Sequence, residues 1–147
     1  MRAKYFLDTN IIVYSFDASQ PAKKELALAL IGNALQSGLG IISTQVIQEF
    51  LNVATRKFMV PLTVEDAKAY LKMVLGPLCK VYPDQVLYEA SLELQHETGY
   101  SFYDALILAS ALHAGCEILY SEDFRTGQQI RGLKIVNPFM PEALTEL

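Results

Sequence analysis

The sequence is short of cysteine, of positive charge and of long hydrophobic runs, and each shortage excludes a class of protein. Its two cysteines, Cys79 and Cys116, lie far apart and lack the spacing of a metal-binding pair, which predicts two reduced, buried thiols. The longest apolar stretches, such as residues 27–31 and 105–109, fall far below the ~20 residues that a membrane helix needs. The first apolar run, at residues 5–7, is too short for a signal peptide. We therefore expect a cytoplasmic protein without a membrane segment.

The composition is that of one folded domain with a mildly acidic charge. The 147 residues are 52% hydrophobic and 19% charged, which excludes intrinsic disorder. The formal net charge of −4 argues against a protein that coats nucleic acid through a general basic surface. No internal repeat, low-complexity tract or linker-like stretch interrupts the sequence, so we predict a single domain over residues 1–147.

Short apolar runs alternate with longer stretches of helical periodicity. Strands are predicted at residues 3–7, 40–43, 79–82, 117–120 and 134–136. Helices are predicted at residues 10–16, 22–36, 44–57, 63–75, 84–97 and 101–114. Because strands alternate with helices, the order predicts an α/β fold in which helices cover both faces of a mostly parallel sheet of about five strands.

Acidic residues lie near the ends of the predicted strands, where a parallel sheet carries its sites. Asp8 comes directly after the first strand, and Glu49 lies one to two turns into the helix after the second. Asp123 follows the fourth strand, and Asp104 opens the helix that precedes that strand. The working site of an open parallel sheet lies outside the carboxyl ends of its strands. We therefore expect these four carboxylates to converge at one edge of the sheet.

Four neighbouring carboxylates favour one kind of chemistry. They repel one another unless a cation neutralises them, and Mg²⁺ or Mn²⁺ is the natural cation for a set of oxygen ligands. One or two such ions can lower the pKa of a bound water and hold a phosphodiester, so the pattern indicates phosphodiester hydrolysis. Thr9, Asn10 and Ser121 are close enough in sequence to orient the carboxylates or a water molecule.

Each acid also has an ordinary structural interpretation. Asp8 can cap the following helix, Asp104 completes a capping-box pattern, and Asp123 can be a turn residue. Glu49 can lie on a solvated helix face, although the apolar residues around it leave little of that face to solvent. The functional interpretation therefore depends on the joint placement of the four acids.

Four segments together carry a resemblance to a known family. They are FLDTN at residues 6–10, STQVIQEF at 43–50, YDALILASA at 103–111 and LYSEDF at 119–124. In their order and approximate spacing they resemble PIN-domain nucleases, most closely the VapC-like toxins of bacterial and archaeal toxin–antitoxin pairs. The resemblance covers almost the whole chain.

The resemblance implies a function and roles for individual residues. The family's four acids fall on the four carboxylates named above, and its small polar residues fall on Asn10 and Ser121. It implies a metal-dependent ribonuclease with a three-layer α/β/α fold, a homodimer and, for a toxin, inhibition by a cognate antitoxin. Arg125 is then a candidate contact for RNA at the rim of the site, whereas Glu122, beside Asp123, is expected to point outward.

The sequence thus predicts a Mg²⁺- or Mn²⁺-dependent endoribonuclease. Two alternatives stay open, namely a non-catalytic PIN-like module that binds RNA or a protein, and a nuclease that acts on DNA or on maturing ribosomal RNA. The predicted helices at 63–75 and 84–97 carry more apolar side chains than a small core can absorb, which also favours a second copy of the chain as a partner.

Overall fold

The computed structural model describes residues 3–140, and a sheet of six strands forms its centre. The strands are β1 (Tyr5–Leu7), β2 (Gly40–Ser43), β3 (Cys79–Val81), β4 (Ile118–Tyr120), β5 (Gln129–Ile130) and β6 (Leu133–Val136). They lie in the order β3-β2-β1-β4-β6-β5, and every pairing is parallel except that of β5 with β6. Residues 1–2 and 141–147 of the predicted domain lie outside the described range.

Helices connect most of these strands. They are α1 (Thr9–Tyr14), α2 (Pro21–Ser37), α3 (Thr44–Arg56), α4 (Val64–Tyr70), α5 (Gly76–Leu78), α6 (Gln85–Thr98) and α7 (Phe102–His113). Local sequence signals set several ends. The Thr63 side chain accepts a hydrogen bond from the Asp66 N–H at the start of α4, and Gly38 and Gly99 end α2 and α6 with positive φ. None of the described helices is long and apolar enough to cross a membrane.

The path of the chain places helices on both faces of the sheet. From β1 the strands step outward to β2 and β3, and the chain then returns past β1 to β4. With right-handed crossovers, helices of the outward steps cover one face and those of the return cover the other. Accordingly α6 and α7 pack against each other, while α1 packs against α2 and α3. Phe6, Leu108 and Leu119 are fully buried. The predicted α/β fold with a mostly parallel, helix-covered sheet is confirmed.

The structure differs from the predicted elements at two places. The sheet has a sixth strand, the two-residue β5, which pairs antiparallel with β6 through a turn at Arg131 and Gly132. Both turn residues have positive φ, 50° and 86°, as in a type I′ hairpin. The Arg-Gly pair is not among the usual signals of that turn, so the pattern missed it. The helix predicted over 63–75 begins as α4, continues with π geometry at Leu71–Leu75 and runs on past its predicted end as α5.

Strand β2 and helix α2 approach each other closely at Gly40. A Cβ atom built on Gly40 would overlap the Ala34 Cβ and would lie 2.8 Å from the Ala34 Cα and 2.9 Å from the Tyr5 Cε2. These separations are too short for real carbon atoms, so only glycine fits. The contact fixes α2 against the start of β2, the strand that leads into α3 and Glu49.

Candidate active site

A cavity of about 590 Å³ opens beside the residues that follow β1, β2 and β4. All four predicted acids, Asp8, Glu49, Asp104 and Asp123, line it. Two further acids, Asp17 and Glu122, line it as well, and its described lining contains no lysine, arginine or histidine. The fold therefore brings the four acids to one place from four separate parts of the sequence.

Asp8 is the buried member of this set. It is only 5% exposed, and it caps the amino end of α1 while also lining the cavity. Its carboxylate accepts hydrogen bonds from the Thr9 N–H and the Ser121 hydroxyl, both at 2.7 Å. Burial raises the pKa of Asp8 from 3.8 to about 7; the two hydrogen bonds oppose the shift, and repulsion from Asp123 and Glu49 adds to it. The capping and the functional interpretations of Asp8 are thus compatible.

Three small polar residues join the acids to one another. The Thr9 hydroxyl donates to Glu49 at 2.7 Å, and the Asn10 amide donates to Asp123 at 3.1 Å. Asn10 also donates to the Ser121 hydroxyl at 3.2 Å, and that hydroxyl donates to Asp8. Asp123, Asn10, Ser121 and Asp8 are linked in series, so the positions of the Asp8 and Asp123 carboxylates are coupled through Asn10 and Ser121. These contacts place Thr9, Asn10 and Ser121 where residues that orient carboxylates would lie.

Asp104 reaches the cavity from the first turn of α7. Ser101 caps this helix by accepting a hydrogen bond from the Asp104 N–H at 3.2 Å. The Asp104 carboxylate itself makes no hydrogen bond or ion pair with residues 3–140, so it does not return the bond that a full capping box requires. The residues that follow Asp104 on α7, from Ala105 to Ala111, are all buried, so its position rests on a firmly packed helix.

Gln45 is a lining residue that the sequence did not single out. Its side chain is buried, with 7% exposed, and its amide donates to the Tyr103 carbonyl at 3.1 Å. This bond ties α3, which carries Glu49, to the first turn of α7, which carries Asp104. The Gln45 Oε1 atom has no partner among the described residues. Gln45 lies four residues before Glu49, and residues at this spacing share a helix face. That spacing was the feature of the sequence that could have indicated Gln45 as a lining residue.

Glu122 was expected from the sequence to point outward, and the structure shows that this expectation is wrong. It lines the cavity and forms an ion pair with Lys23, with 2.7 Å between Oε2 and Nζ. The Tyr14 hydroxyl donates to its other oxygen at 2.6 Å. Burial acts to raise the pKa of Glu122, but Lys23 and Tyr14 together lower it. We call Tyr14, Lys23 and Glu122 the Lys23 cluster.

The structure does not bring Arg125 into the cavity. Arg125 is exposed and absent from the cavity's described lining, and its backbone N–H lies 3.4 Å from the Tyr100 hydroxyl. Arg131 is paired with Glu97 at 3.1 Å, and neither residue is in the cavity's described lining. Arg125 therefore does not line the cavity, and its contact with RNA at the rim of the site stays a prediction.

The donor set of the cavity fits a hard divalent cation. Its groups are carboxylate, hydroxyl and amide oxygens, the ligands that Mg²⁺ and Mn²⁺ prefer. Asp8 is buried and repelled by two neighbouring carboxylates, so a cation would relieve the cost of its charge. Within residues 3–140, no three Asp, Glu, His or Cys side chains are close enough together to enclose one ion as they stand. The cavity thus offers the right donors in an open arrangement.

Known structures share this fold. A chain of a toxin–antitoxin complex from Klebsiella pneumoniae superposes with a TM-score of 0.64 at 22% identity, covering 92% of this chain and 98% of that one. Mycobacterium tuberculosis VapC20, described as a toxin that cleaves the sarcin–ricin loop, has a TM-score of 0.55 at 22% identity, with 82% and 90% covered. VapBC2 from Rickettsia felis, solved with a DNA fragment of its promoter, has a TM-score of 0.57 at 17% identity, with 89% and 96% covered.

At these identities the likeness establishes the fold and not the activity. No curated protein matches the chain. The family model described as the PIN domain matches residues 5–129, a span that contains all four acids of the cavity. The chain therefore belongs to the PIN domain family of nucleases, and its structural neighbours include VapC toxins.

Proposed function

We propose that this chain is a Mg²⁺- or Mn²⁺-dependent endoribonuclease and the toxin of a toxin–antitoxin pair. One observation carries the proposal: Asp8, Glu49, Asp104 and Asp123 line a single cavity at the carboxyl ends of the strands. Family membership supports a nuclease, and the VapC neighbours support a ribonuclease. The absence of basic residues from the described lining of the cavity favours weak non-specific binding of nucleic acid.

The proposed roles follow from how each residue is held. Asp8 and Asp104 would be the principal metal ligands, because one is buried after the central strand and the other sits on a packed helix. Glu49, oriented by Thr9, would orient or deprotonate the attacking water, and Asp123, oriented by Asn10, would complete the acidic set. A bound Mg²⁺ or Mn²⁺ would supply the positive charge that lets a phosphodiester enter beside these carboxylates.

A cleavage assay tests the proposal. Transfer RNA, ribosomal RNA fragments and single-stranded DNA are incubated with the wild type, with Asp104→Asn and with Asp66→Asn, an exposed acid outside the cavity. Each is assayed with Mg²⁺, with Mn²⁺ and with a chelator. We expect metal-dependent cleavage of RNA by the wild type and Asp66→Asn, and a loss of at least a hundred-fold in Asp104→Asn.

Other outcomes separate the alternatives. Cleavage confined to DNA would change the substrate class while keeping the chemistry. Equal cleavage by the wild type and Asp104→Asn would contradict the assignment of the cavity. Metal binding without cleavage of any substrate in the panel would favour the non-catalytic module.

The proposed partners are RNA, a second copy of the chain and an antitoxin. The toxin role predicts that expression of the wild type, but not of Asp104→Asn, arrests growth of the host cell. Co-expression of the product of a neighbouring reading frame should relieve that arrest. Growth arrest by both proteins alike would argue against a toxin that acts through this cavity.

A further inference from the structure

The Lys23 cluster holds a positive charge beside an otherwise acidic cavity. The ammonium of Lys23 lies 2.7 Å from Glu122 and 3.3 Å from the Tyr14 hydroxyl. It also lies over the Tyr14 ring at 4.5 Å from the centroid, and 5.4 Å from the centroid of Phe139. Two oxygens and two rings thus restrict the position of this charged group.

The cluster is connected to the acids. Tyr14 and Glu122 both line the cavity, and Glu122 is the neighbour of Asp123 in sequence. The Glu122 N–H donates to the Asn10 side chain at 3.2 Å, and the same side chain donates to Asp123. Lys23 is therefore held at the rim of the cavity by residues that also form its wall.

The ammonium keeps donor capacity for another group. An ammonium has three N–H donors, and Glu122 and Tyr14 use two of them. The Lys23 side chain is 31% exposed, so it can be approached from solvent. A phosphate oxygen is a stronger acceptor than water, and a backbone phosphate that enters a cavity lined by carboxylates needs a cation at its edge.

We propose that Lys23 contacts a backbone phosphate of the RNA that enters the cavity, with Glu122 and Tyr14 as the positioning residues that hold its ammonium there. The inference rests on the proposed function, because a phosphate ligand is expected only if the cavity receives nucleic acid. It adds Lys23 to the rim of the site, where the sequence had suggested Arg125 as a contact for RNA.

Binding of RNA at several salt concentrations tests this assignment. The probe is a short, fluorescein-labelled single-stranded RNA of mixed sequence, bound in the presence of Mn²⁺. The proteins all carry Glu49→Gln, which removes the group proposed to activate the water, so that the RNA is not cut, and leaves the proposed metal ligands Asp8 and Asp104 in place. Lys23→Met keeps the apolar stem of the side chain and removes its charge. Lys23→Arg keeps the charge, and Lys24→Met, at the next position on α2, is the matched control.

Lys23→Met should weaken binding several-fold at low salt and reduce the slope of log K against log salt by roughly 0.7, the loss of one phosphate contact on a single strand. Lys23→Arg and Lys24→Met should keep the slope of the parent protein. Tyr14→Phe leaves the charge in place but loosens its position, so it should weaken binding roughly three-fold with the slope unchanged.

Three results would overturn the inference. They are an unchanged slope in Lys23→Met, an equal loss of slope in Lys23→Met and Lys24→Met, and no binding of RNA by the parent protein. Thermal unfolding of each variant shows whether it is folded at the assay temperature. Cleavage by the wild type is measured separately. If the wild type cuts RNA but the salt slope does not depend on Lys23, the inference about Lys23 is wrong and the proposed activity stands. If the protein binds RNA through Lys23 and the wild type does not cut it, the proposed activity is wrong and the contact at Lys23 stands.

Discussion

At the scale of single residues, the most consequential group is the buried carboxylate of Asp8. Its pKa of about 7 in the folded chain lies well above the ordinary value of 3.8. A raised carboxyl pKa contributes stability that is complete at low pH, below the unfolded pKa, and that is lost as the pH rises through the folded pKa. The metal-free protein therefore carries a stability cost at Asp8 above neutral pH.

The raised pKa of Asp8 predicts how the free energy of unfolding depends on pH. In the presence of a chelator, the free energy of unfolding of the wild type should fall between pH 4 and pH 8, by up to about 4 kcal/mol from Asp8. Asp8→Asn should flatten this fall and should be the more stable protein at pH 8. Urea unfolding at several pH values, with Asp66→Asn as the control, measures the difference. Parallel pH profiles for the wild type and Asp8→Asn would contradict the prediction.

Some residues of the cavity could be predicted from the sequence, because they follow predicted strands directly or lie in recognisable motifs. Asp8, Asp123 and Ser121 are of this kind, because their neighbours in the chain place them. Gln45 was not singled out and Glu122 was wrongly expected to point outward, because the contacts of both side chains are made with distant partners. Gln45 bonds to a residue 58 positions away, and Glu122 pairs with a lysine 99 positions away. The spacing of Gln45 from Glu49 indicates a shared helix face, but a single sequence carries no local trace of these two distant contacts.

At the scale of elements, the contact of α2 with β2 at Gly40 predicts a clear difference between two glycines. Gly40→Ala should destabilise the fold by roughly 1–3 kcal/mol, because its Cβ meets the backbone and side chain of Ala34. Gly32→Ala, on an open position of α2, should stabilise it by roughly 0.5–1 kcal/mol. Denaturant unfolding of both variants measures the effect. A Gly40→Ala protein at least as stable as the wild type would show that the approach of α2 to β2 is not tight.

Helix and strand boundaries followed the sequence wherever strong local signals were present. Gly38, Gly99 and Ser101 mark helix ends at or within a residue or two of the predicted positions. The hairpin of β5 and β6 escaped prediction because a two-residue strand has no periodicity to detect. The π segment at Leu71–Leu75 escaped it because apolar spacing does not distinguish π from α geometry over one turn.

At the scale of the whole molecule, a cation that binds the acidic cavity should stabilise the fold. At a concentration about one hundred times its Kd, Mn²⁺ would add about 2.7 kcal/mol, which raises Tm by roughly 5–10 °C for a domain of this size. The rise should be much smaller in Asp8→Asn and unchanged in Glu93→Gln, whose side chain is exposed on α6. Calorimetry with and without metal measures it. An equal rise in Tm in all three proteins would indicate that the ion binds outside the cavity.

The apolar surface of the described chain also bears on self-association. Val86, Tyr88 and Leu92 on α6 are 66%, 43% and 57% exposed, in agreement with the surplus of apolar side chains noted in the sequence. The predicted homodimer should give a mass that rises with concentration in sedimentation experiments. Leu92→Glu should lower that mass, whereas Leu28→Glu, on the exposed face of α2, should not. A constant monomer mass for the wild type would contradict the homodimer.

The two borders of the sheet limit how any protein partner can attach. One border is β3, three residues long with the exposed Lys80 at its centre, and the other is β5, two residues long. An incoming peptide that tried to extend the sheet would find too few free backbone groups for a stable ladder. A partner of the described chain is therefore expected to bind through side chains, against helices or within the cavity. For the same reason, the sheet formed by residues 3–140 gives copies left without a partner little backbone with which to join edge to edge into fibrils.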